Sequence, residues 1–125
     1  MAKQITYSNG CVPMELESTS VRWYQDSDVG RKLSGKATIG MSGDTLTYSQ
    51  STAITTSPTE VAAVGNDFVY IKNTGSSDIL VTLDNVNYLI LLSQNETFSS
   101  KIDTAANVKV KTSSGTSTIE TLVGT

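Results

Sequence analysis

Histidine is absent from this 125-residue chain, and its absence removes Ser-His-Asp and Cys-His nucleophilic pairs together with the usual zinc sites. The single cysteine, Cys11, has no partner for an internal disulfide, so nothing calls for an oxidising compartment. Its plain reading is a small buried hydrophobe. Aromatics are few, with one Trp, five Tyr and two Phe, which leaves little material for sugar-stacking platforms. Positive charge is also scarce, 9 basic against 12 acidic residues, and the densest basic run (Arg31, Lys32, Lys36) follows directly on Asp26 and Asp28. Nucleic-acid binding needs a clustered basic stripe that displaces counterions from phosphates, so no nucleic-acid partner is expected. No apolar run approaches the ~18 residues of a membrane helix. Met1-Ala2-Lys3-Gln4 does not lead into a signal-peptide core, so the expectation is a protein soluble when made, with no membrane partner.

What the chain has in quantity is Ser and Thr, 35 of the 125 residues. Thr is β-branched and Ser competes for its own backbone, so both favour strands and turns over helices. The length suits one domain. Val12, Met14 and Leu16, then Val21 and Trp23, alternate with polar neighbours at period two. A polar stretch from Gln25 to Gly35 reads as a long charged loop. Short strands are expected at Ala37 to Ile39 and Thr45 to Tyr48.

From residue 51 the punctuation becomes regular. Strands are expected at Ala53 to Thr56, Phe68 to Lys72, Ile79 to Leu83, Tyr88 to Leu92, Thr97-Phe98, Val108 to Thr112 and Thr118 to Val123, with Ser113 to Ser117 closing the last two as a hairpin. Glu60 to Val64 reads as the one helical turn. Val108 and Val110 point opposite to Lys109 and Lys111, and Ile119, Thr121 and Val123 opposite to Glu120 and Leu122. Tyr88-Leu89-Ile90-Leu91-Leu92 does not alternate, which predicts cover on both faces, inside the domain or from a neighbouring subunit. Many short strands at spacings of about ten residues predict an all-β fold, an antiparallel β-sandwich or jelly-roll-like barrel. Residues 1–50 read as an N-terminal β arm with short strands and a charged loop, and residues 51–125 as the sandwich core.

Chemistry is hard to place on this chain. It has no Gly-rich phosphate loop ending in Lys-Ser/Thr and no G-x-G-x-x-G between a strand and a helix, so no cofactor is expected. Glu15 and Glu17 would stand about 7 Å apart on one strand face. A glycosidase needs two carboxylates across a cleft, but solvent-facing Glu at alternate positions is the ordinary arrangement. Asp26-Ser27-Asp28-Val29-Gly30 has the alternating oxygens that open a calcium loop, without the third acidic position or the terminal Glu; a loop capped by its own Asp side chains fits as well. Asn95-Glu96-Thr97 matches a glycosylation sequon. Trp23-Tyr24 either anchors an interface or places Trp23 in the core and Tyr24 outside. With Tyr88, these two are the candidate stacking groups for a glycan. The expectation is a non-enzyme with no catalytic, cofactor or metal residues.

The run Phe68-Val69-Tyr70-Ile71-Lys72-Asn73-Thr74-Gly75-Ser76-Ser77-Asp78-Ile79-Leu80-Val81-Thr82-Leu83, followed by Tyr88 to Leu92, Asn95-Glu96-Thr97-Phe98 and Val108 to Glu120, resembles small virion structural proteins of tailed bacteriophages, most of all capsid decoration (cement) or head-accessory proteins. The resemblance covers about residues 51 to 125. It implies a β-sandwich that homo-oligomerises, often as a trimer, and binds the major capsid protein on the virion surface to stabilise the head. It carries over no catalytic residue. Similar strings occur in tail, neck and fibre components, where a β-module binds a receptor or glycan.

Overall fold

Twelve strands and no helix occupy the described residues, in keeping with a chain rich in β-branched Thr and Val. The computed structural model describes residues 45–125 in full and, before them, the backbone of four strands. These are β1 (Gln4–Cys11), β2 (Met14–Glu17), β3 (Ser20–Trp23) and β4 (Leu33–Gly40). The chain divides into two compact units, one of Met1–Ile5 with Ile39–Thr125 and one of Thr6–Thr38. β1 pairs with β4. In the smaller unit β2 and β3 form an antiparallel hairpin that sets Glu15 opposite Arg22 and Leu16 opposite Val21.

The larger unit holds β5 (Leu46–Ile54), β6 (Thr59–Ala62), β7 (Phe68–Asn73), β8 (Ile79–Thr82), β9 (Tyr88–Leu92), β10 (Thr97–Lys101), β11 (Val108–Thr112) and β12 (Ser117–Gly124). They make two four-stranded antiparallel sheets, in the orders β10-β7-β12-β5 and β6-β11-β8-β9. One rule generates the pairing: β5 lies beside β12, β6 beside β11, β7 beside β10 and β8 beside β9. Residues 46–124 are therefore one long antiparallel ribbon, doubled back between β8 and β9. Its successive two-stranded segments are dealt alternately to the two sheets.

Period-two patterning gives each sheet one apolar side. Val69 and Ile71 of β7 and Ile119 of β12 contribute from one sheet, and Val81 of β8 with Val108 and Val110 of β11 from the other, all within a single buried cluster. Thr112, Ser117 and Thr121 continue these inward rows and are buried as well. At one end of the core, the Asn73 side chain donates through Nδ2 to the carbonyls of Ser77 (2.8 Å) and Leu92 (2.8 Å). Its Oδ1 accepts from the Gly75 amide (3.1 Å) and from Ser117 Oγ (2.7 Å). All four bonds open to a side-chain amide are thus made, and they link β9 of one sheet to β7 and β12 of the other.

Four sequence expectations change. Glu60 to Val64 is not a helical turn; most of it lies in β6, because Thr59 and Val61 are β-branched and Glu60 and Thr59 pair with Lys109 and Val110. The two short strands expected around residues 45–48 and 53–56 are one strand, β5, which bends at Ser51 (φ 60°) where the β12 register shifts between Ile119 and Thr121. Ser113 to Ser117 does not close a hairpin: β11 and β12 belong to different sheets, and the loop, held by Thr112 Oγ1 donating to the Gly115 carbonyl at 2.7 Å, arches from one layer to the other. Finally, β9 is an edge strand that alternates in exposure, with Leu89 and Leu91 open to solvent. The chain's own described residues cover one of its faces and leave the other bare.

Candidate functional site

The β8–β9 connection is organised by Asp84. Its Oδ1 accepts from Thr82 Oγ1 (2.8 Å) and from the backbone amides of Val86 (2.9 Å) and Asn87 (2.7 Å), and Oδ2 accepts from Asn87 Nδ2 (2.7 Å). This is an Asx-type turn, in which an aspartate substitutes for backbone acceptors, and Asn85 takes the left-handed conformation (φ 65°) that asparagine tolerates. The amide bonds of Asn87 and Val86, with those from the Asn87 and Thr82 side chains, hold the Asp84 carboxyl far below the usual carboxylate range.

The turn displays Val86, 74% exposed, next to the β9 edge, where Leu89 is 87% and Leu91 53% exposed; Leu83 is 38% exposed at the end of β8. Leu89 is also the extra residue of a bulge, since Val81 pairs with Ile90 but Thr82 with Tyr88. Bulges re-aim side chains, and Leu89 joins Val81, Leu83 and Ile90 in lining a cavity of about 280 Å³ whose rim carries Asp84 and Asn87. Beside it the Lys111 ammonium sits over the Tyr88 ring, 4.2 Å from its centre. One face of that ring is therefore taken.

A second surface lies on the outer side of the other sheet. The register places Leu122 of β12 between Tyr70 of β7 and Tyr48 of β5, with Lys72 opposite Glu120 one row along. The Tyr48 hydroxyl donates to Gln50 Oε1 at 3.1 Å, and the pKa values of both phenols are raised. Desolvation is the largest cause for each; the Glu120 hydrogen bond comes next for Tyr48 and the Glu120 charge next for Tyr70. Tyr48 is 54% exposed.

A polar crevice of about 210 Å³ opens between β5 and β6, lined by Ser49, Thr52, Thr59, Glu60, Val61, Ile119 and Thr121. It holds a single carboxylate, as does the Asp84 cavity. Glu60 itself accepts from Asn107 Nδ2 (3.0 Å), and elsewhere Glu96 accepts from the Ser93 amide (3.0 Å) and Asp103 from the Ala105 amide (2.8 Å). Among the described residues no group of three or more His, Cys, Asp or Glu is placed to hold a metal, and no helix is long and apolar enough to cross a membrane.

Of the residues singled out by sequence, Tyr88 lies at the β9 edge under Lys111. Asn95 occupies an exposed turn in the left-handed region (φ 69°), its amide bonded to the Asn73 carbonyl at 2.7 Å. The side chains of Cys11, Glu15, Glu17, Trp23 and Lys36, and the whole of Tyr24, Arg31, Lys32 and residues 26–30, lie outside the described residues. Tyr48 and Tyr70 escaped sequence reasoning because they become neighbours only through the β5-β12-β7 ladder. The exposed leucines were visible as an apolar run, but which of them faces water depends on the edge position of β9.

No protein-family model, no curated protein and no solved structure matches this chain.

Proposed function

We propose that this protein is a non-enzymatic structural module of a phage virion, a decoration or head-accessory protein that oligomerises and stabilises the head by binding the major capsid protein. The observation that carries this reading is the uncovered β9 edge, where Leu83, Val86, Leu89 and Leu91 leave an apolar patch that a solitary soluble domain normally hides. The residue pattern of 51–125 adds the resemblance to tailed-phage components. The fold reading extends in the same direction. An eight-stranded ribbon whose paired segments alternate between two sheets is the plan of a jelly roll, an architecture used by viral capsid and lectin domains. Architecture alone does not assign a role, so the weight rests on the exposed edge. A shell of many copies would multiply modest contacts by avidity.

Light scattering of the purified chain, together with co-sedimentation with purified capsids of a tailed phage, tests this proposal. A stable monomer that ignores capsids overturns it.

A second reading, a tail, neck or fibre module that binds a glycan, draws on the Tyr48–Leu122–Tyr70 row, which offers two rings on one exposed sheet face. Glycan-array binding that disappears in Tyr48→Ala would favour it over decoration.

A further inference from the structure

We infer that β9 is the chain's self-association edge: two copies pair their β9 strands antiparallel about a two-fold axis at Ile90, joining two four-stranded sheets into one of eight strands. The inference rests on the proposed function only in that the chain assembles with itself, and it names the strand, the symmetry and the residues in contact.

Comparing the four strands that stand last in the two sheets singles out β9. Unpaired edges are normally blunted by charge, shortness or a bend. β5 bends at Ser51, β6 is four residues long with Glu60 exposed, and β10 ends in Lys101. The sequence of β9, Tyr88-Leu89-Ile90-Leu91-Leu92, holds no charge and no proline. Its single irregularity, the bulge at Leu89, does not withdraw that side chain, which is the most exposed of the large apolar residues described.

The occupant follows from symmetry and area. A two-fold contact must be self-complementary, and an antiparallel register centred on Ile90 sets Leu89 of each copy opposite Leu91 of the other, the two leucines that β9 leaves in water. Leu91 of the second copy then stands beside Leu89 at the mouth of the apolar cavity. Val86, Leu89 and Leu91, at their observed exposures, offer on the order of 350 Å² of apolar surface as the most the contact can bury from them, under half of the roughly 800 Å² that each partner buries in a stable interface, and main-chain hydrogen bonds between the two edges add to it.

The test uses the full chain. Light scattering over a concentration series is expected to give a dimer, and hydrogen exchange to protect the amides of Leu89 to Leu91 beyond those of the β10 edge. In the double variant Leu89→Lys, Leu91→Lys both signals are expected to disappear. The dissociation constant should rise by roughly a hundredfold or more; at dilutions where both proteins are monomeric the melting temperatures should coincide, because both sites are exposed in the monomer, while at higher concentration the wild type should melt later. A wild-type trimer, a dimer untouched by the double variant, or a monomer whose β9 amides are protected by its own residues 1–44 each overturns the inference. Capsid co-sedimentation is a separate readout: its failure overturns the virion reading and leaves the β9 pairing, which is judged by mass and exchange alone.

Discussion

Ser117 Oγ donates a 2.7 Å hydrogen bond to Oδ1 of Asn73, 44 positions earlier in the chain, in a buried setting. The same amide holds the Leu92 carbonyl. Removing it with Asn73→Ala would leave the Ser117 hydroxyl and the Leu92 carbonyl without this partner, and the expected cost is roughly 3 kcal/mol in urea unfolding. Asn73→Asp keeps the size but exchanges two donors for acceptors. It should be no better than alanine at neutral pH and should recover partly in acid, where a protonated carboxyl regains one donor.

Gly75, two residues on, is small for a steric reason. A Cβ there would collide with Ser117 Oγ and come within 2.6 Å of the Thr118 amide nitrogen, so Gly75→Ala is expected to destabilise by about 2 kcal/mol through displacement of the β12 backbone. Gly65 is the contrast. It has φ +106° with open space around it, and Gly65→Ala should cost about 1 kcal/mol from backbone strain alone. Thermal unfolding of the two variants side by side separates clash from strain.

Asp84 supplies a pH signature. Its folded pKa lies well below the ordinary carboxylate range, so its contribution is fully present above that range and fades as pH falls through it toward the folded value. The stability difference between the wild type and Asp84→Ala should be constant near neutrality and shrink in strong acid. The group is exposed and screened, so the direct check is an NMR titration in which the Asp84 carboxyl is still ionised at a pH where ordinary carboxylates are half protonated.

At the alkaline end, Tyr48 and Tyr70 are raised by desolvation and by Glu120. A raised phenol pKa stabilises the fold below the unfolded tyrosine value, and that contribution is lost as pH rises through the folded one. Glu120→Gln is expected to move two phenols to lower pH in an ultraviolet titration. Desolvation remains in the variant, so the shift should be partial.

Legibility in the sequence follows the range of the interaction that decides each feature. Val108 to Thr112 and Tyr88 to Leu92 stand where patterning puts them, since alternation or apolar runs bounded by turn residues are local signals. β6 was hidden because its pairing with β11 overrides a sequence that also suits a helical turn. The Ser113–Ser117 arch has the sequence of a hairpin, because both connections join two alternating strands through a short glycine loop and only the layer assignment distinguishes them. The Asp84 turn is written in Asp-Asn-Val-Asn, but its role in displaying Val86 depends on where β9 ends up. The Tyr48–Glu120–Tyr70 grouping joins residues from three strands 22 to 72 positions apart and has no local signature.

The folded ribbon carries a topological consequence. Its first and last strands, β5 and β12, are neighbours, and beyond them the Thr125 amide bonds to the Thr45 carbonyl at 3.0 Å. The two points at which the ribbon meets the rest of the chain are thus adjacent, and a linker of a few residues would join them. A permuted chain of residues 45–125 closed there and opened at exposed Ser114 keeps every ladder among β5 to β12 while reversing which of those strands are synthesised first. The order in which the strands emerge is separable from the order in which they lie, and permuted chains with fresh openings along the ribbon would reveal which pairing has to form early for the rest to zip.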